Sequence, residues 1–200
     1  MDWLLYENEK YNEGYKIICG VDEAGRGPLA GPVYAAAVVL EKGQTIEGVN
    51  DSKKLSEKKR ELLFDKIINE CKDYSIGTAS EKEIDELNIL QATFLAMKRA
   101  VDGLSVKPDC ALVDGNQIPN LDCDVTTVVK GDAKSESIAA ASILAKVSRD
   151  RYMLEIAEKY PQYGFEKHKG YGTKLHYEMI EKYGICDIHR KTFLNKVPVS

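Results

Sequence analysis

The sequence predicts a layered α/β domain. Three observations carry that prediction: apolar runs of strand length recur along the chain, segments of helical period lie between them, and a long alanine-rich helix follows the last run. With 200 residues, 44% of them hydrophobic, the chain can build one main domain around its own core without covalent staples. Its five cysteines, Cys19, Cys71, Cys110, Cys123 and Cys186, are odd in number, scattered and free of C-x-x-C pairs, which argues against a disulfide framework or a zinc site. Cys19 and Cys110 lie in apolar runs and read as small core residues. The N-terminus lacks a basic stretch followed by a long apolar one, and no run approaches a membrane span. A reduced, cytoplasmic protein with no membrane association is expected.

The elements follow in order. Ile17 to Val21 and Val33 to Leu40 read as two strands joined by an acidic, glycine-containing loop. Leu63, Phe64, Ile67, Ile68 and Cys71 then recur at helical spacing after Ser56, a good N-cap. A third strand lies within Tyr74 to Ala79. The capping-box pattern Ser80-Glu81-Lys82-Glu83 opens a single helical stretch carrying Ile84, Leu87, Phe94, Leu95 and Val101, which stops near Gly103. Cys110 to Val113 is a short strand ending in Asp114-Gly115-Asn116, and Val125 to Val129 is another, ending in Lys130-Gly131-Asp132. From about Ser135 to Tyr160 runs a helix that is apolar nearly all round between Ile138 and Val147, and therefore central to the core.

Carboxylates mark the strand ends. Asp22-Glu23, Asp114 and Asp132 each follow an apolar run and stand beside a glycine or a glycine loop, at the sheet edge where ligands of α/β domains bind. Taken singly, each is also readable as an ordinary polar turn. Taken together, four buried acids need cations. With no matching histidine or cysteine set the ligands are all oxygen, which suits Mg²⁺ or Mn²⁺. Two such ions about 4 Å apart can serve the attacking and leaving oxygens of a phosphoryl displacement.

The net charge of −4 opposes a globally basic nucleic-acid binder. Local clusters matter more than the total. Lys58-Lys59-Arg60 fits a solvated helix face, whereas Lys167-His168-Lys169 with Lys174 is interleaved with Tyr163, Phe165, Tyr171 and glycines, as a stacking nucleic-acid surface would be.

These residues resemble the type 2 ribonuclease H family, in its bacterial branch. The resemblance runs from about Ile17 to Phe193 and rests on G-V-D-E-A-G-R-G-P-L-A-G-P-V at 20–33, D-S-K-K-L at 51–55 and I-D-E-L-N-I-L-Q-A at 84–92. L-V-D-G-N at 112–116, the run K-G-D-A-K-S-E-S-I-A-A-A-S-I-L-A-K-V-S-R-D at 130–150 and H-K-G-Y-G-T at 168–173 extend it. It implies an RNase H-like fold, a five-stranded mixed sheet flanked by helices, organised as one catalytic domain over 1–200 with about 161–200 as a helical and loop extension of the substrate groove. It also implies cleavage of the RNA strand of RNA/DNA hybrids and incision at single ribonucleotides embedded in duplex DNA.

Carried over by motif, the catalytic and metal-binding carboxylates fall on Asp22, Glu23, Asp114 and Asp132, the four already reached from strand ends. Two ions are expected there, and the assignment of roles is our own hypothesis: Asp22 would bridge both, Asp132 would help hold the one that activates water, and Glu23 and Asp114 would hold the one near the leaving 3' oxygen. It places backbone recognition of the ribose 2'-hydroxyl on Gly25, Arg26 and Gly27, and it makes Tyr171 the residue that packs on the neighbouring sugar. Lys53, Lys134, Ser135 and Ser137 are candidate phosphate contacts, and His168 a candidate nucleic-acid contact. Arg149 and Asp150 are expected to form structural pairs, and His176 and His189 to be ordinary surface or packing residues. Cys186-Asp187 departs from the family's small residue and proline before Ile188-His189-Arg190, which bears on the path of the tail alone.

Three other readings compete. A P-loop fails because Gly-Arg-Gly-Pro-Leu-Ala-Gly lacks the lysine and Ser/Thr of that motif. A noncatalytic hybrid-binding module would have lost a carboxylate, and all four are here. A ribonuclease HIII-like hybrid nuclease would carry a different glycine loop, lack the tyrosine and usually bear an N-terminal substrate-binding domain, for which the roughly sixteen residues before the first strand leave no room. The chain is expected to act as a monomer on RNA/DNA hybrids and ribonucleotide-containing duplexes, and the short segment 195–200 leaves a sliding-clamp partner open.

Overall fold

The computed structural model describes residues 2–194. Five strands form one mixed sheet: β1 (Ile18–Ala24), β2 (Val33–Val39), β3 (Asp73–Ala79), β4 (Cys110–Asp114) and β5 (Asp124–Val128), in the order β3-β2-β1-β4-β5. β2 runs antiparallel to both β1 and β3, while β4 and β5 run parallel to β1. β1 runs past the expected end at Val21, so Asp22 and Glu23 lie in the strand and the glycine-containing loop 25–32 that joins it to β2 holds no acid; β4 enters through a helical crossover, whereas β5 follows β4 through the non-helical segment 115–123.

Helices cover both faces. On one lie α2 (Glu57–Glu70) and α5 (Glu136–Lys159), packed on Ala36, Val38 and Leu40. On the other lie α3 (Glu81–Leu87) and α4 (Ile89–Asp102), packed on Val21, Val33, Ala35 and Ala37. This two-sided cover explains why β1 and β2 read as continuous apolar runs rather than alternating ones. Ile138, Ile143 and Leu144 of α5 are fully buried, and each contributes about 2 kcal/mol of hydrophobic stabilisation. Two glycines set the approach of the layers. A Cβ on Gly20 of β1 would collide with the Ser137 and Ile138 backbone of α5, and one on Gly77 of β3 with the Ala96 and Ala100 backbone of α4.

Ser56 caps α2, accepting from Lys59 N, and Ser80 and Glu83 close the expected capping box of α3. The single helix expected from Ser80 to Gly103 is instead two. Asn88 sits at φ 73° and breaks it, while its side chain accepts from Leu90 N and Gln91 N to start α4. β5 ends at Val128, one residue earlier than expected.

Two pieces frame the domain. At the N-terminus, α1 (Leu5–Glu13) docks near the start of α5. Glu7 is buried there, accepting from Ser135 Oγ and Ser137 Oγ at 2.6 Å and from Ser137 N at 3.0 Å. After α5, α6 (Phe165–His168) and α7 (Lys174–Tyr183) pack with Ile188 and Leu194 in a separate apolar cluster that includes Leu29, Ala30 and Met153. All five cysteines are free, with Cys19 and Cys110 buried in the core. Among the described residues no helix is long and apolar enough to cross a membrane. The final segment, 195–200, lies outside the described residues.

Candidate active site

The site begins at the carboxyl ends of β1 and β4. The register that pairs Val21 with Val113 brings Asp22 and Asp114 level where the ladder ends. Asp22 pairs with Ala36 and so faces α5, while Glu23, the next residue, points to the opposite face toward α4. Asp132 enters from the turn after β5, which is locked to Asp114 by a 2.6 Å hydrogen bond from Gly131 N to Asp114 Oδ1.

The electrostatics are those of crowded acids. Asp22 is 4% exposed, and burial, with Glu23 and Asp114 nearby, raises its pKa well above the usual carboxylate range. Burial also raises Glu23, partly offset by Arg26, whose Nη1 lies 3.4 Å from Glu23 Oε1. Asp114 is raised by burial as well, and the Gly131 amide works against that shift. Lys53 supplies one compensating charge, its Nζ 2.7 Å from Asp132 Oδ2. Asp22, Glu23, Asp114, Lys53 and Tyr171 line a common cavity of about 230 Å³.

An all-carboxylate donor set under mutual repulsion fits a hard divalent cation better than any other group. Among the described residues no three metal-ligating side chains yet stand at ligating spacing around one point. The opposed directions of Asp22 and Glu23 and the ammonium on Asp132 account for that spread.

Beyond β1 the loop is held by two buried arginines that pair with carbonyl oxygens rather than with acids. Arg190 donates to Gly25 O, to Arg26 O at 2.9 Å and to Gly31 O at 2.8 Å. Arg149 donates to Pro32 O at 3.2 Å, Ala30 O at 3.1 Å and Lys169 O at 3.0 Å. In a trans peptide the carbonyl of one residue and the N–H of the next point oppositely. Holding Gly25 O and Arg26 O inward therefore turns the N–H groups of Arg26 and Gly27 outward. Gly25 has φ 96°, and a Cβ there would strike the Arg149 side chain. A Cβ on Gly27 would face Tyr171, with Cε1 of that ring 3.7 Å away.

The remaining expectations divide. Tyr171 is 44% exposed on the cavity wall, and Lys53 reaches the carboxylates. Lys134 is half-buried just before α5. Ser135 and Ser137 do not face the groove: they are buried, and their hydroxyls are committed to Glu7. His168 is buried too, its ring spent on Tyr163 O and Gly170 N. Arg149 does not pair with Asp150, which takes Lys146 instead at 2.7 Å. Of the surface or packing roles expected for His176 and His189 the structure shows packing, since they are 0% and 2% exposed and bonded to each other. In the sequence Arg190 stands out only as part of the family's Ile188-His189-Arg190 run, with no role attached, because its partners lie 159 to 165 positions away.

Comparison with known proteins places this geometry. The family model described as Ribonuclease HII matches residues 19–196. The chain is 62% identical over 196 residues to the ribonuclease HII of Caldicellulosiruptor bescii, covering 98% of this chain and 95% of that one. Among solved structures it resembles the ribonuclease H2 of Pyrococcus horikoshii OT3, with a TM-score of 0.74, 33% identity, and 88% and 93% of the two chains covered. The ribonuclease HII in the PCNA:RNase HII complex of Archaeoglobus fulgidus gives a TM-score of 0.70 at 29% identity, covering 88% and 94%. The carboxylates at the strand ends, the sheet that places them and the full-length likeness agree: the chain belongs to the ribonuclease HII family.

Proposed function

We propose that this ribonuclease HII cuts the RNA strand of RNA/DNA hybrids and incises duplex DNA on the 5' side of single embedded ribonucleotides, leaving 3'-hydroxyl and 5'-phosphate ends. The observation that carries this reading is the shared cavity: Asp22, Glu23 and Asp114 line it together with Gly25 and Tyr171. Recognition and chemistry are thus within a few residues of one another.

Asp22, Glu23, Asp114 and Asp132 would hold two divalent ions, Mg²⁺ or Mn²⁺. When bound, these supply the positive charge that favours water attack and departure of the 3' oxygen. The chain's own residues do the rest. Arg190 and Arg149 fix the carbonyls of the loop, so the Arg26 and Gly27 amides are presented toward a sugar hydroxyl without reorganisation. The 2'-hydroxyl is the group that distinguishes RNA from DNA at one position, and the absence of a side chain at Gly27 lets the sugar approach. Tyr171, across from Gly27, offers its ring to the adjoining sugar. Lys53 shifts from Asp132 toward a backbone phosphate as substrate and ions arrive, and Lys134 adds charge near the start of α5. The segment from Pro161 to Leu194 completes the groove of a single catalytic domain by supplying Tyr171 and Arg190. A single chain suffices for this site.

The test is a duplex carrying one ribonucleotide, incubated with Mg²⁺ or Mn²⁺ and with EDTA. Incision 5' of the ribonucleotide that EDTA abolishes and Asp114→Asn eliminates is expected. Cleavage of uniform hybrid without incision at single ribonucleotides would favour a ribonuclease HIII-like activity, and binding without cleavage under either ion a noncatalytic module.

A further inference from the structure

Behind Tyr171 two buried histidines, His176 and His189, form a hydrogen-bonded pair whose tautomers follow from the groups at its ends, with a third, His168, stacked against it. His189 Nδ1 has Cys186 N at 2.9 Å, Cys186 Sγ at 3.2 Å and Cys186 O at 3.3 Å; the shortest of these, from the backbone N–H, assigns the ring proton to His189 Nε2. At the other end His176 Nδ1 lies 2.9 Å from the carbonyl oxygen of Tyr171, which only accepts, so His176 Nδ1 is protonated and its Nε2 is bare. The two Nε2 atoms are 3.1 Å apart, one with a proton and one without, as a hydrogen bond requires. His168 stacks on the His176 ring at 4.4 Å between centroids, donates from Nε2 to Tyr163 O and accepts from Gly170 N on Nδ1.

All of this converges on the segment carrying Tyr171. Its N–H donates to His168 O at 2.9 Å, its carbonyl accepts from Thr173 N at 2.8 Å and from His176 Nδ1 at 2.9 Å, and Gly170 O accepts from Leu29 N beside the β1–β2 loop. The ring of Tyr171 is exposed, so its backbone has to fix where it stands. A salt bridge could not do this task as quietly, because a neutral relay adds no charge near the carboxylates.

We propose that His176, oriented by His189, is a positioning residue for substrate selection: it holds the Tyr171 carbonyl so that the ring meets the sugar beside the ribonucleotide. The inference rests on the reading of Tyr171 as a substrate contact, and the experiment separates the two.

Three variants replace parts of the imidazole. In His176→Asn the amide can stand where Nδ1 does and still donate to Tyr171 O; in His176→Gln the amide reaches toward His189 instead; His176→Leu fills the space and makes neither bond. Steady-state kinetics are measured on a single-ribonucleotide duplex and on a uniform hybrid, with melting temperatures alongside, each in the wild-type and Tyr171→Ala backgrounds. The expected result is that Leu and Gln lower kcat/KM on the single-ribonucleotide duplex by about tenfold relative to the hybrid, that Asn stays within about threefold of wild type, and that none of them changes the ratio further once Tyr171 is alanine. Equal ratios for Asn, Gln and Leu, or losses that add to that of Tyr171→Ala, would overturn the proposal. If His176→Leu does not fold, the ordering of Asn above Gln decides. A Tyr171→Ala variant with unchanged kinetics on both substrates would instead remove the reading of Tyr171 itself.

Discussion

The guanidinium of Arg190 reaches across the domain to the carbonyl oxygen of Arg26, 2.9 Å from its Nη1. Arg190 is 0% exposed, and the hydrogen-bonding partners of its guanidinium are all backbone carbonyls, those of Gly25, Arg26 and Gly31. A buried cation spread over three carbonyl dipoles fixes the direction of each peptide it touches. The loop that follows Asp22 and Glu23 is thereby shaped from the far end of the chain.

Replacing this residue tests that dependence. Lysine keeps the charge but is a point donor, unable to span three carbonyls as the planar fork does. Arg190→Lys should lower unfolding stability by about 3 kcal/mol in urea titration and cut turnover of single-ribonucleotide duplexes more strongly than that of uniform hybrid. Wild-type stability and wild-type substrate ratio in the lysine variant would show that the guanidinium does not hold the loop.

What the sequence disclosed and what it hid follow one physical line. Features set by near neighbours were readable: the apolar runs of β1 and β2, the Ser56 cap, the Ser80–Glu83 capping box and the buried α5 all appear where periodicity and capping place them. The placement of Asp22 and Glu23 near the end of β1 and of Asp114 at the end of β4 was readable because strand ends are local too, whereas Asp132 lies in the turn beyond β5. The break at Asn88 needed a left-handed residue inside an otherwise helical pattern, and α1 has too little amphipathic contrast to announce itself. Arg149, Arg190 and the histidine relay were hidden because their partners are distant in sequence. A histidine among charged residues reads as surface or packing alike until the fold closes over it. Ser135 and Ser137 mislead for the same reason, since Glu7, about 130 positions away, claims both.

Asp22 tests the carboxylate cluster from the stability side. Its charge is buried with Glu23 and Asp114 nearby, so without metal it opposes folding at neutral pH. Asp22→Asn should abolish cleavage while raising the melting temperature of the EDTA-treated protein by several degrees, on the order of 1 kcal/mol. Adding Mg²⁺ or Mn²⁺ should raise the melting temperature of the wild type and leave that of the variant almost unmoved. Thermal melts with and without each ion read both effects; an equal metal response in the two proteins would take Asp22 out of the metal site.

Lys53 sits between two roles. Its ammonium neutralises Asp132, which raises its own pKa, yet its side chain is mostly exposed along the groove. Lys53→Ala should therefore tighten divalent-ion binding, by removing a competing cation, and weaken substrate binding by removing a phosphate contact. Calorimetric titration of the metal-binding step and the salt dependence of hybrid affinity separate these. The log–log salt slope should fall by about one unit, since one phosphate contact is lost. An unchanged slope with tighter metal binding would leave Lys53 as a partner of Asp132 alone.

Acid should loosen the Tyr171 segment through the histidines behind it. Burial pushes His176 and His189 down to about 4, with His168 beside both, and the ends of the relay admit only the neutral rings. The Cys186 thiol touches the cluster, its Sγ 3.2 Å from His189 Nδ1, and none of the hydrogen bonds made by the three rings goes to a carboxylate; Glu166, Lys169, Asp187 and Arg190 are the other titratable groups nearby. In the unfolded chain these histidines take up protons near pH 6.5, in the folded one near 4, so their contribution to stability is present above about 6.5 and lost as pH falls toward 4. Protonation would also place two hydrogens between the facing Nε2 atoms and break the relay at its middle. Asp22, Glu23 and Asp114, raised by burial, act in the opposite direction, which makes the wild type alone a poor witness. The difference between wild type and His176→Asn isolates the relay: wild type should lose about 2 kcal/mol more than the variant between pH 7 and pH 4.5, measured as urea midpoints across that range. Parallel pH profiles for the two proteins would mean that His176 is already protonated, or free to be, in the folded state.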